Sequence, residues 1–330
     1  MTTHFTHLHE HEPRTLVDLV DRAIELKRNP PRDAPLAGKS VTLVFLNPSL
    51  RTRASMEIAA ASLGATPVVL APGKDAWAME HLEGVVMDGG AAEHAREAVG
   101  VLARYGQVIG LRAFPSAASW EEDCAEPMLT AFRRYSDVPV VNLESATCHP
   151  CQALADLMTV KERTEPAGKT FLVTWAPHVK ALPMAVPHSA AEIAAAAGMN
   201  VTIARPEGYD LAPEAMDRIQ SLCAESGASL KVTADAAAAY EGAHVVYAKS
   251  WMSLESYGAP PPSDEETRRT WIVDGEKMRK TDNGIFMHCL PVRRNLVVAD
   301  EVIDSEASVV LDQAENRLHT AKAVLLWLCG

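Results

Sequence analysis

Nowhere in the 330-residue chain do about 18 apolar residues run uninterrupted, so no membrane-spanning helix is expected. The first twenty residues, MTTHFTHLHEHEPRTLVDLV, also lack an apolar segment that could serve as a secretory signal. The six cysteines (Cys124, Cys148, Cys151, Cys223, Cys289, Cys329) follow neither a disulfide framework nor CxxC spacing. Free thiols in a reducing compartment are the simplest reading, and the expected location is the cytoplasm. A basic surface is missing as well. The net charge of −12 argues against a general nucleic-acid binder, although arginines converging in one cleft would still hold an anionic small molecule. No G-x-G-x-x-G occurs, which leaves a dinucleotide-dependent dehydrogenase little support. His4, His7, His9 and His11 are dense but terminal; adventitious metal binding is the reading preferred there, and neither a metal nor a cofactor is expected.

What is present is ordinary globular material: 48% hydrophobic and 22% charged residues, at a length that suggests about two domains. Short apolar, β-branched runs read as buried strands at Ser40–Leu46, Pro67–Leu70, Val108–Leu111 and Val138–Val141. The same pattern returns at Thr170–Thr174, Asn200–Ala204, Leu230–Thr233, Val245–Ala248 and Ile285–Met287. Helices are expected between them, at Arg53–Leu63, Glu93–Tyr105, Glu122–Tyr135, Ala185–Ala197, Pro213–Ser226 and Asp235–Tyr240, with a long one at Ala314–Leu328. The first 35 or so residues are mixed. Strand–helix alternation implies parallel sheets covered on both faces. The expected fold is α/β: two doubly wound domains with parallel sheets, linked by interdomain helices. They divide as 1–148 and 149–313, with 314–330 a helix packing back on the first. In such sheets ligands sit beyond the carboxyl ends of the strands, and the unusual residues of this sequence fall there.

The first of these is Asn47-Pro-Ser-Leu-Arg-Thr-Arg53, between a strand and a helix. A helix N-terminus offers unpaired N–H groups and partial positive charge. Ser49 and Thr52 add hydroxyls, and Arg51 a fork suited to phosphate oxygens. On its own, the string reads equally as a helix cap with solvated arginines. Three further features lie downstream: His149-Pro-Cys-Gln152, His288-Cys-Leu-Pro-Val-Arg-Arg294, and Glu315-Asn-Arg317 near the end, with Arg112 after a strand.

Together, and in this order, these stretches resemble the aspartate/ornithine carbamoyltransferase superfamily. Pro72-Gly-Lys-Asp-Ala-Trp77, Val86-Met-Asp-Gly89, Thr174-Trp-Ala-Pro-His178 and Tyr247-Ala-Lys-Ser-Trp251 are similar to its N-acetylornithine and N-succinylornithine branch. The resemblance implies that Ser49, Leu50, Arg51 and Thr52 hold the phosphate of carbamoyl phosphate, with Arg112 and Arg317. It further implies that Thr52, Arg112 and His149 polarise the carbonyl, and that Gln152 and the Leu290 carbonyl grip the NH₂ group. Trp77 would belong to the carbamoyl-phosphate site of a neighbouring subunit, so a homotrimer is expected. Glu144, His178, Lys249, Cys289, Arg293 and Ala92 would face the acylated ornithine, with Cys289 orienting its δ-amine. Phosphate can accept the amine proton itself, so no dedicated base is needed, in keeping with the absence of a paired-carboxylate or Ser/His/Asp pattern.

Lys249 stands where ordinary ornithine enzymes carry an aspartate that pairs with the substrate's α-ammonium. A lysine there would repel an ammonium and attract a carboxylate beside a neutral amide. The resemblance therefore implies transfer to an N-α-acylated ornithine in arginine biosynthesis. Within the branch, the acetyl enzymes carry a glutamate where this chain has Ala92, and the succinyl enzymes a proline. Alanine removes both the charge and the bulk that would oppose a succinyl carboxylate, so N-succinyl-L-ornithine is favoured over N-acetyl-L-ornithine. A non-catalytic scaffold of the same fold, and an aspartate enzyme, are the competing readings; the retained phosphate loop, His149, Gln152 and Cys289 oppose the first, Lys249 and His288-Cys-Leu-Pro the second.

Overall fold

The computed structural model describes residues 2–330. The chain divides into two compact units, one of residues 1–116, 121–151 and 317–330, the other of residues 117–120 and 152–316. His149, Pro150 and Cys151 thus belong with the first unit rather than the second, and 314–316 with the second. The chain passes between units inside α6 (Pro150–Lys161) and α12 (Val310–Cys329), and on either side of the short stretch 117–120.

In the first unit, β1 (Ser40–Phe45), β2 (Thr66–Leu70), β5 (Val108–Arg112) and β6 (Val140–Asn142) form an all-parallel sheet in the order β2-β1-β5-β6. β1 is buried along five of its six residues, as expected of a strand covered on both faces. Gly110 lies mid-strand in β5, where an added Cβ would come within 2.9 Å of Leu43 and Leu143 side chains. Val44, Ile109, Leu111 and Val140 pack with Val99 of α3 (Ala95–Tyr105) and Leu129 and Phe132 of α5 (Pro127–Tyr135). The N-terminal segment adds an edge: the Phe5 N–H donates to Val140 O, and Phe5 O accepts from the Asn142 N–H.

The second unit carries a five-stranded parallel sheet ordered β11-β10-β7-β8-β9, from β7 (Thr170–Trp175), β8 (Asn200–Ala204), β9 (Leu230–Thr233), β10 (Val245–Lys249) and β11 (Ile285–Met287). Its core joins Phe171, Val173, Val201, Ile203, Val246 and Phe286 with the indoles of Trp175, Trp251 and Trp271.

The helices depart from expectation where prolines and caps intervene. The segment expected as one helix over Glu122–Tyr135 is two, α4 (Trp120–Cys124) and α5, because Pro127 has no N–H to continue the ladder and Glu126 takes a left-handed φ of 46°. α3 begins at Ala95, its Arg96 N–H donating to the His94 Nδ1, while Glu93–His94 (β4) pairs with Met79–Glu80 (β3). Asp235–Tyr240 shrinks to a 3₁₀ turn over Ala238–Tyr240. The helices α7 (Ala185–Ala196) and α8 (Pro213–Ser226) form where expected, but five α-helices had no counterpart in the expectation. They are the short α9 (Glu265–Trp271), α10 (Gly275–Met278) and α11 (Asp300–Ile303), together with α6 and α1 (Pro13–Arg28), whose Leu16, Leu19, Val20, Ala23 and Leu26 form one buried stripe.

Candidate active site

In each sheet the strand order reverses between two neighbours, β1 and β5 in the first unit and β7 and β10 in the second. In open parallel sheets such a reversal point, where the outgoing loops diverge, is the usual place for a ligand.

In the first unit, β1 runs into Asn47–Leu50 and α2 (Arg51–Ser62) follows. Asn47 Oδ1 accepts from the Phe114 N–H at 2.7 Å, tying this loop to the one leaving β5. The Thr52 N–H donates to Ser49 Oγ at 3.2 Å, so Ser49 also serves as a helix cap. Leu50 is 78% exposed, whereas Thr52 is buried and its Oγ1 accepts from Arg317 Nη2 at 2.7 Å. Arg112 ends β5 with its guanidinium over the Phe114 ring, 4.3 Å from the centroid. Its Nη1 donates to Leu143 O at 3.3 Å and to Glu144 Oε2 at 2.5 Å. Buried His149 places Nε2 3.6 Å from the same carboxylate. Thr52, Arg112, Glu144, His149 and Arg317 are therefore gathered at one end of this sheet.

Two arginines, a helix N-terminus and one carboxylate make this an anion cradle in which Glu144 already occupies the Arg112 fork. Burial, then the charges of Arg317 and Arg112, hold the His149 pKa well below its ordinary value; the imidazole is neutral and offers a hydrogen bond rather than a charge. Burial pushes the Cys151 thiol up to about 12, so that cysteine is inert packing. Glu144 sits at φ 130°, a conformation unfavourable to side-chain-bearing residues. Asn142 holds it there: its Oδ1 accepts from the Glu144 N–H at 2.9 Å, and its Nδ2 donates to Ser145 Oγ at 2.7 Å and Thr6 O at 3.0 Å. A cavity of about 280 Å³ lies among the same loops, lined by Asn47, His81, Phe114, Met128 and Ser145.

Trp77 and Ala92 lie on the segment that the β3–β4 pair braces. Trp77 is 64% exposed, with its indole N–H donating to Glu93 Oε2 at 2.6 Å. Ala92 is exposed, and its N–H donates to Ala78 O at 3.3 Å.

In the second unit, Lys249 ends β10 in register with Trp175 of β7 and is 9% exposed. His178 follows β7, with its Nε2 3.1 Å from Arg293 Nε. The guanidinium can only donate, so Nε2 accepts, and Nδ1–H donates to Lys180 O at 3.1 Å. Burial, reinforced by Lys249, Arg293 and Lys180 and opposed only by the Lys180 backbone, lowers the His178 pKa. Lys249, His178 and Arg293 thus form one positive cluster. Arg294 is instead committed to Asp300 and Asp304, at 2.8 and 2.6 Å. Buried Gln152 donates its Nε2 to Asp156 Oδ1 at 2.7 Å. Leu290 adopts a left-handed φ of 55°, its N–H held by the His288 Nδ1 at 2.9 Å. Cys289 is half-buried, near enough to Tyr247 to raise its phenol further, beyond the larger effects of burial and Asp156.

Sequence patterns missed Asn142 and Asp156. Asp156 had a readable signal, since it lies one helical turn after Gln152 and shares its face. Asn142 had none, because its work is done by loop folding. Among the described residues, no group of three or more His, Cys, Asp or Glu side chains is placed to hold a metal ion. His7 instead contacts Glu126 at 2.7 Å, and His4 Nδ1 accepts from the Val140 N–H. No described helix is long and apolar enough to cross a membrane.

Residues 3–162 match the family described as "Aspartate/ornithine carbamoyltransferase, carbamoyl-P binding domain", and residues 184–328 its "Asp/Orn binding domain". The chain belongs to the aspartate/ornithine carbamoyltransferase family. It is 44% identical over 333 residues to the N-acetylornithine carbamoyltransferase of Xanthomonas campestris pv. campestris, covering 99% of this chain and 98% of that one. To the N-succinylornithine carbamoyltransferase of Bacteroides thetaiotaomicron it is 40% identical over 304 residues, covering 92% and 88%. A crystal structure of an N-acetyl-L-ornithine transcarbamylase superposes with a TM-score of 0.93 at 44% identity, covering 99% of both chains. That protein carries a glutamate-to-alanine substitution and is complexed with carbamyl phosphate and N-succinyl-L-norvaline. The carbamoyltransferase assignment and the two-domain parallel α/β architecture stand on these matches.

Proposed function

We infer that this carbamoyltransferase moves the carbamoyl group of carbamoyl phosphate to the δ-amine of an N-α-acylated L-ornithine, giving N-acyl-L-citrulline and phosphate. The observation that carries this reading is Lys249: a nearly buried ammonium clustered with His178 and Arg293. Such a cluster attracts the α-carboxylate and repels the α-ammonium of free ornithine.

In the reaction, the first turn of α2 with Arg51, Arg112 and Arg317 holds the phosphate. Thr52, Arg112 and neutral His149 donate to the carbonyl oxygen as it gains negative charge. Gln152 and the Leu290 carbonyl accept from the carbamoyl NH₂. The neutral δ-amine, oriented by Cys289, attacks the carbonyl carbon, the bond from that carbon to the bridging oxygen breaks so that the oxygen leaves with the phosphate, and the departing phosphate takes the amine proton. Glu144, displaced from Arg112 by phosphate, becomes available to accept from the substrate's amide N–H.

Ala92 favours the succinyl group, because neither charge nor bulk opposes a second carboxylate there. The glutamate-to-alanine relative with its succinyl ligand supports that preference. The acetyl reading has one observation of its own, the higher identity to the Xanthomonas enzyme, 44% against 40%. The proposal extends to arginine biosynthesis in the cytoplasm by a homotrimer in which Trp77 reaches a neighbouring carbamoyl-phosphate site. Exposed Trp77, Leu82, Val86 and Met87 support that association.

Steady-state kinetics with carbamoyl phosphate and N-succinyl-L-ornithine, N-acetyl-L-ornithine, ornithine or aspartate, reading the ureido product, test the reading. Product with neither acylornithine overturns it. A specificity constant favouring acetyl by about tenfold, or 1.4 kcal/mol, replaces succinyl with acetyl.

A further inference from the structure

Gln152 is an ambiguous hydrogen-bonding group. Its amide has an acceptor and a donor end, and an amide turned the wrong way would confront the carbamoyl NH₂ with another NH₂. Asp156, 1% exposed and one turn further along α6, removes the ambiguity. An ionised carboxylate only accepts, so the 2.7 Å contact to its Oδ1 requires the Gln152 NH₂ to face it. The Gln152 carbonyl oxygen is then turned away from Asp156. The same Oδ1 accepts from Gln313 Nε2 at 2.6 Å, and, after burial, the charge of this carboxylate raises the Tyr247 phenol. Gln313 in turn uses its Oε1 to accept from the His288 N–H at 2.9 Å, and the His288 ring holds the Leu290 N–H. One carboxylate therefore underlies both groups assigned above to the carbamoyl NH₂.

We propose that Asp156 is a positioning residue for the donor substrate, fixing the Gln152 amide carbonyl-outward and, through Gln313, the backbone of His288–Leu290. This rests on the proposed carbamoyl transfer. If the wild-type enzyme carbamoylates no acylornithine, that reading has failed; if it does and the variants below behave otherwise than stated, only the positioning role has.

Asp156→Asn can set an NH₂ against two amide donors and lets the Gln152 amide turn. Its kcat should fall about a hundredfold, as for a reacting group displaced by a fraction of its contact distance. Inorganic phosphate is held by the first unit's residues and should bind within about threefold of wild type by calorimetry. The decisive readout is a reciprocal swap. In Asp156→Asn/Gln152→Glu, the new carboxylate accepts from the new amide and still turns an acceptor outward. The double variant should recover about tenfold over either single variant, an interaction that independent packing defects would not produce. Should Asp156→Asn fail to fold, Gln313→Met tests the second path: kcat should drop about tenfold with phosphate binding retained. Additive losses in the swap, phosphate binding lost in step with activity, or a wild-type kcat in Gln313→Met would each overturn the proposal.

Discussion

Replacing Lys249 with methionine keeps the length and apolar stem of the side chain and deletes only the charge. Lys249 is 9% exposed, and among the described residues no carboxylate pairs with its ammonium. The carboxylate it would meet is the substrate's own. A hydrogen bond to a charged group contributes about 1.5–3 kcal/mol, and at about 1.4 kcal/mol per decade the loss is roughly ten- to 150-fold. The α-carboxylate does not change during the reaction, so the interaction is equal in ground and transition states and the loss should fall on KM. Lys249→Met should therefore raise the KM of the acylornithine by that factor, with kcat within about threefold and the KM of carbamoyl phosphate unchanged. Folding stability should not suffer, because a nearly buried cation beside Arg293 is expensive to keep; the melting temperature is expected to hold or rise. A second readout comes from His178, whose pKa is lowered by burial first and by Lys249 among the charges. Its imidazole resonances should titrate at higher pH in the variant. An unchanged KM, or a loss confined to kcat, would refute the carboxylate-binding role.

Ala92→Glu should lower the specificity constant for N-succinyl-L-ornithine at least tenfold, about 1.4 kcal/mol of like-charge and steric conflict, while the acetyl substrate changes by less than about threefold. Equal losses on both substrates would show that Ala92 does not read the acyl group. Glu144→Gln removes the charge occupying the Arg112 fork, so inorganic phosphate should bind about fivefold more tightly, near 1 kcal/mol; weaker binding in calorimetry would contradict the cradle as described. His149 has a pKa held well below normal by burial and the two arginines. The unfolded chain takes up a proton near pH 6.5 where the folded one does not, so this stability is fully present above about pH 6.5 and declines below it, by at most about 1.4 kcal/mol per pH unit. Melting temperatures from pH 7.5 to 5.5 should fall more steeply for wild type than for His149→Gln, and parallel slopes would argue against a neutral buried ring.

The strands were legible because they are short runs rich in apolar and β-branched residues, and Asn200–Ala204, Leu230–Thr233 and Ile285–Met287 have the expected bounds; only the inner strands, such as β1, are buried along nearly their whole length. Amphipathic α1 carries its signal in Leu16, Leu19, Val20, Ala23 and Leu26, diluted among polar neighbours. The break before Pro127 follows from a missing N–H, and the late start of α3 from a cap at His94 that leaves no apolar signature. Site residues adjacent to strand ends could be found locally. Their partners could not: Arg112 meets Glu144 32 positions away, and Asp156 meets Gln313 across 157. Those pairings are made by the return of the chain, and no window of sequence contains them.

Ala92 lies on an exposed segment whose paired strands, Met79–Glu80 and Glu93–His94, are only two residues each. Thr52, Arg112 and His149 are buried at the end of a packed sheet. If Ala92 reads the acyl group as proposed, that choice is lodged in a part of the chain where substitution disturbs little packing, while the residues proposed for the carbamoyl chemistry sit where almost any change is felt. An enzyme built this way can drift from one acylated ornithine to another by single exposed replacements without passing through an inactive or unfolded intermediate, and relatives naming different acyl groups at 40–44% identity are what such drift would leave behind.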